Sequence, residues 1–205
     1  MAQSLIHILL FLLATMVNQS CTNKSPEAAQ QRTNDSTKVR VPDLAVRTSN
    51  GDVVRLSALY KQAPMLLSVY LGVGCPMCVM SMKQLSQHAY RIKTHGWNVF
   101  ALSNDTPEEN RIALEKPNFD SSFVQPGGGF AVELLSDSNH VAMEFLGCYR
   151  RSLETERHGM FLIDQQGVIR FSVIDRRPYQ QWETLIDSIK SINAEIKMTS
   201  SVTQN

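Results

Sequence analysis

Apolar positions along this chain fall into two periods. Residues 65–71 (MLLSVYL) make a short, almost unbroken apolar run, the pattern of a strand covered on both faces. Just beyond, Val79, Met82, Leu85, Ala89 and Ile92 recur at three and four residues, which predicts an amphipathic helix opened by Pro76 and stopped by Gly96. Residues 98–102 (NVFAL) read as the next strand. Thr106-Pro107-Glu108-Glu109 is a helix start, with a cap, a proline and then acids near the positive end of the dipole, and Pro117 ends that helix. Residues 131–135 form a short strand, and Ser138 caps a helix running to Leu146. Residues 159–163 (GMFLI) and 168–174 flank Gln165-Gln166-Gly167, a hairpin signal. Pro178 opens a last helix whose Trp182, Leu185, Ile186, Ile189 and Ile192 form one stripe. Upstream, residues 43–56 read as two strands around Ser49-Asn50-Gly51, with Ser57 capping a short helix through Tyr60. Strands alternating with helices, then a terminal hairpin, predict an α/β domain: a mixed central sheet with helices on both faces.

The ends follow other patterns. Residues 5–17 are apolar apart from His7 and Thr15, a length that suits an export signal better than a membrane span. Ser20 then precedes Cys21, which resembles a bacterial lipoprotein signal in which the cysteine is lipidated. Asn18 and Gln19 depart from that pattern, and the first residues hold no Lys or Arg. Two readings stand: a signal over 1–21, with attachment to a membrane through Cys21, and an uncleaved hydrophobic N-terminus. Export places the protein in the periplasm or on the membrane. Residues 22–38 hold only two apolar residues, both Ala, and read as a flexible tether. Residues 195–205 read as a disordered tail. That leaves one domain over 39–194.

Composition narrows the function. Twenty Lys plus Arg against 19 Asp plus Glu leave a net charge of +1, which supplies no basic field for nucleic acid. Neither a flavin nor a nicotinamide signature is present, so no cofactor is expected. Gln125-Pro126-Gly127-Gly128-Gly129 lacks the residues of a phosphate loop.

The chemistry centres on Cys75-Pro76-Met77-Cys78, between an apolar strand and an amphipathic helix. A sulfur at a helix N-terminus meets free backbone N–H groups and the positive dipole end, and both favour thiolate over thiol. Cys78 lies one turn on, on the same face, where a disulfide can form with little backbone movement. Cys75 is then the attacking sulfur and Cys78 the resolving one. Half of a zinc site and a pair of inert buried thiols are the competing readings, but no second close pair of Cys or His completes a metal set, and none is expected.

The stretches VPDLAVRTSNGDVVRLSAL, the strand into GCPMC, FAVELLSDSNHVAMEFLG and HGMFLIDQQGVIRF, in that order, resemble the peroxiredoxin-like alkyl hydroperoxide reductase C/thiol-specific antioxidant (redoxin) family. The resemblance implies a thioredoxin-like fold over 41–193, with Cys75 and Cys78 at an exposed helix tip above the sheet edge. Peroxiredoxins carry P-x-x-x-[ST]-x-x-C; here Ser68 stands at the proline and Gly72 at the hydroxyl residue. They also keep an Arg before the late strand, where this chain has His158 beside Arg157, and thioredoxins place a cis-proline where this chain has Gly159. The resemblance implies a peroxide or a disulfide as substrate and an external dithiol as reductant. It leaves a thiol-dependent peroxidase, a thiol–disulfide oxidoreductase and a non-catalytic binding module that uses residues 117–130 all open. His158 and Arg157 are candidates to tune Cys75, the imidazole as a neighbour and the guanidinium as an electrostatic partner; the simpler reading makes both surface residues. Cys148 is a third redox thiol or, more simply, a structural one. Met77, Met80 and Met82 are expected in the core.

Overall fold

The computed structural model describes residues 39–115 and 132–202. The export segment, Cys21, the tether and the glycine-rich loop lie outside these residues.

The chain begins with the expected hairpin, β1 (Ala45–Thr48) and β2 (Val53–Arg55), whose turn places Gly51 at φ 89°. Helix α1 (Leu56–Gln62) then leads into β3 (Met65–Val69). Next come α2 (Pro76–Thr94), β4 (Asn98–Ser103), α3 (Pro107–Glu115), β5 (Glu133–Ser136) and α4 (Val141–Phe145). A two-stranded ribbon, β6 (Tyr149–Arg150) with β7 (Thr155–Glu156), precedes the hairpin β8 (Gly159–Ile163) and β9 (Ile169–Ile174). The last helix, α5, runs Trp182–Val202.

Seven strands form one mixed sheet in the order β2-β1-β5-β4-β3-β8-β9. The central β5, β4 and β3 are mutually parallel, and β8 runs antiparallel to β3 with Val69 opposite Gly159. Every residue of β3 is buried, as its unbroken apolar run predicts. Its side chains divide by alternation. Leu66 and Tyr70 enter one core with Met82, Leu85, Ala89 and Ile92 of α2 and the Trp182, Leu185, Ile186, Ile189 and Ile192 stripe of α5. Met65, Leu67 and Val69 enter the other, with Leu56 and Tyr60 of α1 and Ala142 and Met143 of α4. Helices therefore cover both faces.

Local differences have local causes. Ser57 falls inside α1 and donates to the Asp43 carboxylate. Asp137, not Ser138, holds the start of α4: its carboxylate accepts the N–H groups of Val141 (3.1 Å) and Met143 (2.8 Å). Pro178 opens a separate short turn, Pro178–Gln180, before α5. The tail expected to be disordered from 195 is helical through Val202. There, Arg170 of β9 pairs with Glu195, and Thr199 Oγ1 donates back to the Glu195 carbonyl (2.9 Å). The ribbon β6–β7 has two residues per strand, too few for any periodicity to announce it. Thr106 caps α3 as expected: its hydroxyl accepts the Glu109 N–H (3.2 Å) while Glu109 accepts the Thr106 N–H (2.8 Å).

Leu85 is fully buried between α2 and the sheet. Leu85→Ala is expected to cost about 2–5 kcal/mol, because the fixed strands and α5 prevent the cavity from closing. A fall in the urea midpoint at unchanged slope measures it.

Candidate active site

The parallel strands β3 and β4 both end at one edge of the sheet, and the functional groups gather there. Cys75 is the N-cap of α2, and Pro76 occupies the first helical turn, where its missing N–H costs nothing. The Cys78 N–H closes that turn on the Cys75 carbonyl at 2.9 Å. Cys75 is partly exposed, whereas Cys78, one turn in, is fully buried. All three described cysteines, 75, 78 and 148, are free thiols. The Cys75 sulfur is near enough to act on the Cys78 thiol. The exposed tip expected for both sulfurs thus holds only for Cys75; Cys78 sits with Leu66, Tyr70 and Met82 because the inward face of α2 begins at its position. Burial pushes the Cys78 thiol up to about 12. The adjacent Cys75 sulfur adds to that rise, and a hydrogen bond from the Leu71 backbone opposes it.

His158 reaches this pair from the opposite strand direction. Because β8 is antiparallel to β3, its first residue lies beside the last residue of β3, so the residue before it arrives at the same edge. The imidazole Nε2 stands 3.3 Å from Cys78 Sγ. The sequence offers His158 as a neighbour of Cys75, and the structure brings its ring within hydrogen-bond distance of Cys78 Sγ. His158 is half-buried, and burial lowers its imidazole below the usual range. Its carbonyl accepts the Asp175 N–H at 3.2 Å.

Arg157 is exposed, and its charge acts on the Cys148 thiol. Its N–H donates to the Cys148 carbonyl at 2.7 Å. Cys148 itself is fully buried in the other core, among the side chains of α4 and the far face of β3. Burial pushes its thiol up to about 12. The sheet separates it from Cys78, so it is not placed as a resolving partner. Gly159 explains its own identity: a Cβ there would stand 2.6 Å from Cys148 Sγ and 2.7 Å from the Phe161 ring. Met82 is in the core as expected, but Met77 (61% exposed) and Met80 (62%) are on the surface beside Cys75, because both fall on the outward face of α2.

One site residue carried no flag in the motif reading. Asp105 follows β4 and reaches across to the loop before Cys75. Its Oδ2 accepts the Val73 N–H at 2.9 Å and the Ser103 hydroxyl at 2.7 Å. Burial raises its carboxyl above the usual range, against the pull of those two bonds. Gly72 has φ 112°, a region that side chains avoid, and a Cβ on it would lie 2.7 Å from Asp105 Oδ1. The place where peroxiredoxin-like sequences carry a hydroxyl side chain is thus filled here by a carboxylate from the neighbouring strand. Its signal in the sequence is Ser103-Asn104-Asp105 at the end of an apolar strand, next to the capping Thr106.

The family model for AhpC/TSA proteins matches residues 37–172. The chain belongs to the AhpC/TSA family. That membership makes it a thiol-dependent oxidoreductase. No curated protein sequence matches it. Among solved structures, it is similar to peroxidoxin BcpB of Mycobacterium tuberculosis (TM-score 0.63, 18% identity, 78% of this chain and 99% of that one). It is also similar to the reduced 2-Cys peroxiredoxin of Plasmodium vivax (TM-score 0.64, 15% identity, 79% and 85%). A third is peroxiredoxin Q of Xanthomonas campestris (TM-score 0.60, 14% identity, 73% and 91%). At these identities the likeness establishes the thioredoxin-like fold of the AhpC/TSA proteins.

Gly72→Thr, which writes the commoner family residue into this loop, is expected to destabilise the AhpC/TSA domain by about 1–3 kcal/mol, since it meets both a forbidden φ and the Asp105 carboxylate. Asp105→Ala combined with Gly72→Thr relieves the clash but not the backbone strain. Asp105→Ala itself gives up the Val73 and Ser103 bonds, so the relief is read in a double-mutant cycle of denaturant midpoints: Gly72→Thr costs less in the Asp105→Ala background than in the unsubstituted domain.

Proposed function

We propose that this protein is a thiol-dependent peroxidase in which Cys75 attacks and Cys78 resolves. The observation that carries the reading is the asymmetry of the pair. Cys75, partly exposed, is the N-cap residue of a helix of 19 residues, and Cys78, one turn in on the same helix, is fully buried and has a thiol that the Cys75 sulfur acts on. The outer sulfur, as thiolate, attacks one oxygen of a peroxide O–O bond; the other oxygen leaves with the bonding pair and takes up a proton. Cys75 is now a sulfenic acid. Cys78 attacks its sulfur, water leaves, and a 75–78 disulfide forms. A helical i,i+3 pair is near enough for that bond after a small adjustment. An external dithiol then reduces the disulfide by attack at the accessible Cys75 side.

The second reading, thiol–disulfide exchange on protein disulfides, is favoured by one feature. Gly72 and Asp105 replace the hydroxyl side chain of the peroxiredoxin pattern, so the loop offers a peroxide no donor at that position. The run of residues 5–17 and the Ser20-Cys21 step support export, with attachment to a membrane through a lipidated Cys21. Among the described residues no helix is long and apolar enough to cross a membrane.

One equivalent of hydrogen peroxide should remove two hydrogen atoms from the reduced protein within seconds, with a 75–78 link in the peptide map. Under the same treatment Cys78→Ser should stop one oxygen heavier, at Cys75. Inertness to peroxide together with fast reaction with glutathione disulfide moves the assignment to the second reading.

A further inference from the structure

The buried resolving thiol presents a difficulty that the mechanism above does not solve. Only a thiolate attacks sulfur, and Cys78 is deeply buried and beside a second sulfur, two conditions that hold it protonated. Something must take its proton while the S–S bond forms. Three groups act on it or touch it: Cys75 on its own helix, Asp105 after β4 and His158 before β8; Asp175 touches His158 through its backbone N–H and turns its carboxylate to the Arg177 N–H. Asp105 spends its Oδ2 on Val73 and Ser103. Cys75 is the electrophile at this stage. His158 is the group with a nitrogen at hydrogen-bond distance from Cys78 Sγ, at 3.3 Å.

We propose that His158 is the acid–base catalyst of the resolving step, taking the Cys78 proton on Nε2 as Cys78 Sγ bonds to Cys75 Sγ and returning it to the group that leaves Cys75. The electron pair of the Cys78 S–H bond becomes the new S–S bond. The pair of the bond broken at Cys75 departs with the leaving group, hydroxide from a sulfenic acid or thiolate from a mixed disulfide. The proton on Nε2 then neutralises it, so His158 ends unchanged. Half-burial, which disfavours the imidazolium, keeps the ring neutral and ready to accept near neutral pH. Arg157 is exposed and acts on Cys148, leaving His158 the residue of that dipeptide that serves the pair.

The inference rests on Cys75 as attacking sulfur, but not on the oxidant, so it is tested with a disulfide probe. The full chain carrying Cys21→Ser is mixed with dithiobis(nitrobenzoate). Cys75 releases the first thionitrobenzoate, and attack by Cys78 on the mixed disulfide releases the second. In the wild-type site the second phase should rise through one titration and reach a plateau near neutral pH. In His158→Gln it should be slower by about 10²-fold at neutral pH, the scale of general-base catalysis, and climb with hydroxide through the alkaline range. Two outcomes overturn the proposal: a second phase with wild-type rate and pH profile in His158→Gln, or both phases slowed by one common factor at every pH, as from a merely structural role. Should His158→Gln fail to fold, the unsubstituted site decides, since a second phase that climbs with hydroxide and shows no plateau overturns the proposal equally. Persistence of the first phase in Cys75→Ser would instead overturn the assignment of the attacking sulfur, a separate failure.

Discussion

Two strands running in opposite directions, β3 and β8, meet with Val69 opposite Gly159, and the site depends on that register. A helix must follow β3 and a connection must precede β8, so Cys78 and His158, eighty residues apart in sequence, come to one edge without a loop to carry them. A slip by one residue would turn β8 over, exchanging the residues that face α2 with those that face α4. It would also bring a side chain to the position where Gly159 lets Cys148 and Phe161 approach. The glycine, the buried cysteine behind it and the histidine before it thus belong to one geometric condition. Cys148 takes part in that condition as filling, on the opposite face from the chemistry.

A second constraint comes from β4. The parallel pairing of β3 with β4 continues one step past the strand, where the Tyr70 N–H meets the Leu102 carbonyl at 3.0 Å. The chain then turns at Ser103, and Asp105 closes on Val73. The loop that delivers Cys75 to the helix tip is therefore held from the neighbouring strand rather than by its own side chains. A glycine with positive φ lets the backbone come close enough for that contact. In the peroxiredoxin-like pattern a hydroxyl occupies this region from within the loop; here the polar group comes from outside it, at the cost of burying a carboxylate.

Much of this was legible in the residues. The α2 and α5 stripes, the unbroken run of β3 and the Gln165-Gln166-Gly167 turn each follow from one periodicity or one turn preference, and each is where the sequence places it. The Cys75–Cys78 spacing spoke for itself, since a helix start and an i+3 interval are local facts. What escaped depends on pairing between distant segments. Nothing near His158 says which sulfur it meets, because that follows from a strand register. Asp105 sat among capping residues and read as part of the α3 start. The helical stretch from 195 to Val202 lacks an apolar stripe, and the partner of Glu195 is an arginine on β9 that no local window contains. Met77 and Met80 lie outside the core for a simpler reason: the helix face that holds Met82 does not extend to neighbours that point the other way.

A helix tip offers its N–H groups and dipole to the capping residue and far less to a residue one turn inside. The same geometry that leaves Cys75 partly exposed directs Cys78 into the apolar core between α2 and the sheet, where ionisation is most costly. An oxidant arriving from solvent would meet the partly exposed sulfur before the buried one. The burial that protects Cys78 from premature reaction also strips it of nucleophilicity. A site arranged this way needs a proton acceptor on the inner side of the pair, and an imidazole delivered from the edge of the sheet is the group that stands there.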